Sequence, residues 1–138
     1  MNTIEPTQEQ AKGLLKKLPK GQPVIMLNLL KFKERAEPYA DGTGADETGE
    51  TAYMKYARNL EPLRERAGGK LFFAGAARHF LIGDAAKDWD MVIMVEYPDS
   101  RAFIKMTASE DYQKIHVDRE RGLERTELIV TQNTGGLG

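Results

Sequence analysis

The chain has 138 residues, 41% of them hydrophobic and 30% charged, with a formal net charge of −1. This is the profile of one globular domain, and the near-neutral charge excludes the electrostatic footprint of a nucleic-acid or anionic-membrane binder. The absence of cysteine excludes disulfides, thiolate nucleophiles and thiolate metal sites, no apolar run approaches the roughly 20 residues that span a bilayer, and the N-terminal MNTIEPTQEQ lacks the basic and apolar regions of a signal peptide, so a cytoplasmic protein is expected.

The first expected element is a helix. Thr7-Gln8-Glu9-Gln10 fits a capping box, and Ala11, Leu14, Leu15 and Leu18 follow at helical spacing. Lys16, Lys17 and Lys20 suit its negative end, and Pro19, Gly21 and Pro23 stop it. Residues 1–22 therefore read as an N-terminal helical extension, residues 23–132 as the main domain and residues 133–138 as a disordered tail.

Strand one spans about Val24–Phe32. The polar stretch Lys33–Thr48 that follows, with Pro38, Gly42 and Gly44, is long for a connection and reads as a mobile segment or a lid over a site. A second helix runs from about Gly49 to Ala67 with an apolar stripe of Tyr53, Tyr56, Ala57, Leu60, Leu63 and Ala67, and Gly68-Gly69 ends it. Pro62 predicts a kink near Arg58–Glu61.

Strand two is expected over Lys70–Ile82, a turn at Gly83-Asp84, and strand three over Trp89–Tyr97. After Pro98, Asp99 or Ser100 caps a short helix carrying Ala102, Phe103 and Met106. Ser109 starts another helix, with Tyr112, Ile115, His116 and Arg119 on one face and Gly122 as its C′ residue. Strand four is expected over Glu124–Thr131.

The order after the first helix is β-α-β-β-α-β, the split βαβ arrangement: an α+β, ferredoxin-like, four-stranded antiparallel sheet. Right-handed crossovers place both crossover helices on one face. Yet VIMLNLLKF and MVIMVEY hardly alternate, so both faces of the sheet are expected to be buried. Four strands about six residues long present roughly 400 Å² of projected face. Leaving that area wet forfeits about 10 kcal/mol, as much as a whole domain's stability. The expected cover is a second copy packed sheet to sheet, closing a dimeric α+β barrel. The N-terminal helix is the alternative cover for part of the face.

Several runs carry a resemblance: MLNLLKFK at Met26–Lys33, GETAYMKY at Gly49–Tyr56, AGGKL at Ala67–Leu71, WDMVIMVEYPDSRAF at Trp89–Phe103 and DYQKIHVDRERGLERTEL at Asp111–Leu128. Together, over about residues 20–130, they are similar to the domain-of-unknown-function family thirteen-thirty, within the dimeric α+β-barrel superfamily. The strand-to-helix start is its most specific part and reads here Tyr97-Pro98-Asp99-Ser100, one residue longer than the family's form. The resemblance implies the fold and the dimer. It implies no reaction, since the superfamily spans cofactor-free monooxygenases, isomerases, haem enzymes and ligand-binding regulators.

Candidate site residues follow from their chemistry. Asn28 is a polar side chain in an apolar strand, either tied into a polar network or facing a ligand. Glu96 ends strand three as a candidate general base, and His79 and His116 are the only imidazoles. Tyr56, Trp89 and Arg119 are candidate ligand contacts, with packing, rim-sealing and solvated roles as their alternatives. Ser100 and Ser109 read as caps, and no metal site is expected because the histidines lack ligand spacing.

Three functions fit this reading. One is a cofactor-independent enzyme, oxygenase- or isomerase-like, acting on a small, largely apolar substrate between sheet and helices, with His79, Glu96 or His116 as its chemistry. Another is a non-catalytic ligand-binding or sensor protein of the same shape. The third, an RNA-binding module, is disfavoured by MVIMVEY, which offers no exposed aromatics for base stacking. The expected partners are a second copy and a small molecule, with no nucleic acid and no membrane.

Overall fold

The computed structural model describes residues 4–18 and 20–137; Pro19, expected to help stop the first helix, and Gly138 of the tail lie outside them. The elements run α1 (Gln8–Lys17), β1 (Val24–Phe32), α2 (Gly49–Arg66), β2 (Lys70–Ala76), a single 3₁₀ turn (Ala85–Lys87), β3 (Met91–Tyr97), α3 (Ser100–Ala108), α4 (Glu110–Gly122) and β4 (Leu123–Thr131). The strands form one sheet in the order β2-β3-β1-β4, each neighbouring pair antiparallel. This is the expected α+β, ferredoxin-like architecture.

Local chemistry accounts for the helix starts. The Thr7 hydroxyl accepts from the Gln10 amide at 3.1 Å while the Gln10 side chain accepts from the Thr7 amide at 2.9 Å, a reciprocal capping box. Thr48 caps α2, Asp99 caps α3, and Ser109 both ends α3 and caps α4. α2 continues through Pro62 to Arg66.

Strand alternation sorts the sheet into two faces. Val24, Met26 and Leu30 of β1 and Val95 and Tyr97 of β3 point toward the helices, where they meet Tyr53, Tyr56 and Leu63 of α2, Met106 of α3 and Tyr112 of α4. The core tyrosines keep their hydroxyls satisfied: Tyr56 and Tyr112 share a hydrogen bond of 2.9 Å, and Tyr97 donates to the Met106 sulfur at 3.8 Å. Burial raises the Tyr53 phenol to about 12 and the Tyr56 phenol well above its ordinary range.

The opposite face carries Leu27, Leu29, Val92 and Met94 at its centre, with Phe73 and Ile129 on the flanking strands about half exposed. α1 does not cover it. That helix has no buried residue and lies against α3 in the helical layer, so the alternative cover is ruled out within one chain.

Three local expectations need correction. β2 ends at Ala76 rather than Ile82, because its partner β3 begins only at Met91; Ala77 makes one last bond to the Asp90 carbonyl at 3.0 Å, and the chain then leaves the sheet. A bulge at Phe72 also shifts the register of this strand. Gly122 is not a left-handed C′ residue but the last residue of α4. A Cβ there would stand 2.9 Å from the Tyr53 nitrogen, so the bare glycine is what lets α4 cross α2 backbone to backbone.

The third concerns Lys33–Thr48, expected as a mobile segment or a lid: the hydrogen bonds that Arg121 gives it count against the mobile alternative. Arg121, 3% exposed, donates to the Glu37 carbonyl at 2.7 Å, the Gly44 carbonyl at 3.0 Å, Glu47 at 2.7 Å and Asp118 at 2.7 Å. Its guanidinium lies 3.7 Å from the centre of the Tyr39 ring, whose hydroxyl donates to Asp118 at 2.6 Å.

Candidate functional site

A groove of about 790 Å³ opens where β1 and β2 finish and β3 begins, beside the first turn of α2. Its apolar wall is Phe32, Met54, Ala76 and Met91; Lys31, Lys33, Glu34, Glu50, Arg78, Asp90 and Glu124 form a charged rim. The volume falls in the range of small-molecule sites, and the lining is more charged than is usual for them.

The rim is built from the strand ends. The Asp90 amide donates to the Leu30 carbonyl at 2.7 Å, and its carboxylate accepts from the Phe32 amide at 2.8 Å, clasping β3 to β1 where the ladder stops. Lys31 donates to Asp88 at 3.1 Å and to Asp90 at 3.4 Å, and the hydrogen bond it gives Asp88 raises the ammonium above its ordinary value. Arg125 donates to the Asp88 carbonyl and lies 4.5 Å from the Trp89 ring centre. On the opposite wall, the Lys33 carbonyl accepts from the Gly49 amide at 3.0 Å and the Lys33 amide donates to the Gly122 carbonyl at 2.8 Å, which holds the start of α2 close to the end of β1. Lys33 pairs with Glu37 at 3.3 Å; Glu34, Glu50, Arg78 and Glu124 make no ion pair among the described residues.

The residues singled out from sequence do not converge on this groove. Asn28 spends its amide donors on the Met26 and Ile93 carbonyls, both at 3.2 Å, and so ties β1 to β3. Tyr56 is buried in the core. Trp89 lies under Arg125 at the edge of the groove. His79 is exposed in the segment after β2, one residue beyond the groove-lining Arg78. Glu96 stands five residues along β3 from Met91, about 17 Å at the rise of an extended strand.

His116 and Arg119 instead hold the N-terminal segment. The His116 Nε2 is 2.9 Å from Glu5 and its Nδ1 2.7 Å from Glu120, while Arg119 donates to the Ile4 carbonyl at 2.7 Å. Glu5, His116 and Glu120 offer three metal-type donor atoms within 4.8 Å of one another, a grouping not foreseen from sequence. The two carboxylates face different ring nitrogens, so one ion on the imidazole engages only one of them directly.

Sequence reasoning passed over the groove residues because each has an ordinary local explanation. Lys31 and Asp90 look like solvated strand ends, and Met54 like one more apolar helix position. The available signal was the break at Lys31–Phe32 and Trp89–Asp90, where apolar runs give way to charge on paired strands.

The family described as "Domain of unknown function (DUF1330)" matches residues 43–133. Among solved structures, the chain is similar to a protein of unknown function from Rhodopseudomonas palustris, with 33% identity over 96% of this chain and 98% of that one and a TM-score of 0.84. It is also similar to a dimeric ferredoxin-like protein of unknown function from Bacteroides fragilis, with 8% identity, coverage of 80% and 96%, and a TM-score of 0.51. A cofactor-independent oxygenase from Streptomyces nogalater is similar at 14% identity, with coverage of 84% and 97% and a TM-score of 0.50. At these last two identities the likeness concerns fold alone. No curated protein matches.

Proposed function

The chain belongs to the DUF1330 family, and on that premise we propose that it is a homodimeric small-molecule-binding protein whose ligand occupies the groove at the Lys31–Asp90 end of the sheet. The observation that carries this reading is the groove itself: an apolar wall of Phe32, Met54, Ala76 and Met91 bordered by charged side chains, several of them without an internal ion pair among the described residues. Such a site suits a ligand with a hydrophobic body and a polar end. Dimerisation is supported by the partly exposed Leu27, Leu29, Val92 and Met94 and by the likeness in fold to a dimeric ferredoxin-like protein.

The test is a thermal-shift screen of small aromatic and aliphatic acids, amines and alcohols, with each hit retested on Met54→Trp, which fills the groove, and Arg78→Ala. Ligands that stabilise the native chain and lose affinity tenfold or more on Met54→Trp support the groove. Hits bound equally by Met54→Trp refute it.

Catalysis is the second reading. It is favoured by His79, which follows Arg78 at the groove's edge, and by the likeness in fold to a cofactor-independent oxygenase. Turnover of a bound ligand by the native protein, lost in His79→Ala with affinity retained, distinguishes an enzyme from a binder.

A further inference from the structure

We propose that the segment between β2 and β3, residues 77–84, is a dimerisation arm whose Phe80-Leu81-Ile82 tip packs on a second copy of the chain. The proposal rests on the homodimer reading above and names the segment that extends the contact beyond the sheet face.

The tip is the largest exposed aliphatic feature inside the domain. Leu81 is 85% and Ile82 91% exposed, and Phe80 is 38% exposed. Yet the arm is a shaped segment. Its base is tied by the Ala77 amide to the Asp90 carbonyl at 3.0 Å. Its return is set by Gly83, whose φ of +132° is glycine territory, and by Asp84, whose carboxylate accepts from the Ala86 amide at 3.0 Å. The Phe80 ring folds back toward Gly83, where a Cβ would lie 3.7 Å from it. Leu81 and Ile82 stand outward on the bend between these ties.

Area argues for a second copy as the occupant. The uncovered sheet face offers roughly 400 Å² in projection. A stable interface buries about 800 Å² per partner. Leu81 and Ile82 add roughly 100 Å² each. The arm thus enlarges the apolar surface on offer by roughly half, toward that area. The patch is also continuous with the face: Phe73, opposite Met94, belongs to the strand that runs directly into the arm.

The experiment is sedimentation equilibrium of the full chain and of a Leu81→Asp/Ile82→Asp double variant, with circular dichroism to confirm folding. Both side chains are exposed, so the fold is expected to survive. The expected result is a wild-type dimer and at least tenfold weaker self-association in the variant. A wild type that is monomeric at micromolar concentration overturns both the arm and the homodimer reading. A dimeric wild type whose variant associates with unchanged affinity overturns the arm alone. Flotation of the wild type with phosphatidylcholine–phosphatidylserine vesicles, lost in the variant while the dimer constant stays the same, also overturns it by assigning the tip to a lipid surface.

Discussion

Replacing Gly122 with alanine pits two effects of opposite sign against each other. By helix propensity alone, Gly→Ala at the end of α4 gains up to about 1 kcal/mol. The packing predicts the reverse. The new Cβ would stand 2.9 Å from the Tyr53 nitrogen and 3.3 Å from the Tyr53 Cβ, and closer still to the Gly49 carbonyl oxygen. Two of these three are backbone atoms of α2, which cannot swing aside as a side-chain tip does. Reaching ordinary contact requires roughly 0.5–1 Å of separation between α2 and α4, since carbon contacts are optimal near 3.5–4.0 Å. That motion stretches the Lys33–Gly122 hydrogen bond of 2.8 Å and the Gly49–Lys33 bond of 3.0 Å. Overpacking costs about 1–3 kcal/mol and the two hydrogen bonds together about 1–3 kcal/mol, so after a propensity gain of about 1 kcal/mol the net is a loss of about 1–5 kcal/mol. Urea denaturation of Gly122→Ala beside the native chain measures it, and Gly49→Ala should act on the same crossing, making the double variant less damaging than the sum. A Gly122→Ala protein as stable as the native one, or more so, refutes the argument.

Arg121→Met removes the donor that gathers residues 37–47, so amide exchange at Ala36 and Tyr39 should accelerate at least tenfold while β1 stays protected; equal protection in the variant counts against the pinned loop. The Tyr53 phenol, held neutral to about 12 by burial, ionises near 10 in the unfolded chain. Its contribution is therefore complete below pH 10 and is lost as pH rises from there toward 12, at about 1.4 kcal/mol per pH unit. Denaturation midpoints across that window should fall less steeply in Tyr53→Phe, and an unchanged slope contradicts the assignment. His116→Ala should loosen the hold on Glu5 and raise proteolysis at Lys16 and Lys17, with global stability shifted by less than about 1 kcal/mol because the contacts are partly exposed; undiminished protection of α1 speaks against the clasp.

The elements most legible in the sequence were those fixed by local chemistry. Thr7 with Gln10, Asp99 and Ser109 announce helix starts through hydrogen bonds that span only a few residues. β2 was less legible because LFFAGAARHFLI is strand-like throughout, whereas its end is decided by where β3 begins. The Phe72 bulge is likewise invisible to a count of alternating positions. Gly122 misled because glycine after a helix has two uses, a left-handed turn and a close crossing, and only the approach of α2 selects between them. The polar loop 33–48 read as mobile or as a lid because the residue that ties it, Arg121, lies 74 positions beyond Glu47.

The same distinction bears on the site. Reading for chemistry selects imidazoles and a carboxylate, and the fold distributes them: His79 on the arm, His116 under the N-terminal segment, Glu96 at the far end of β3. Among the described residues none of the three contacts another, so concerted acid–base work by them requires a substrate or a partner subunit to bridge the gaps. The groove needs no such bridge for binding. Its apolar wall comes from four different elements, held by hydrogen bonds at Asp90, Lys33, Gly49 and Ala77 that do not depend on a ligand. A site whose walls are fixed in advance spares a ligand the entropy of assembling them. That is the physical ground for ranking recognition of a small molecule ahead of turnover, and it makes the affinity of Met54→Trp a more direct question to put to this protein than the activity of its histidine variants.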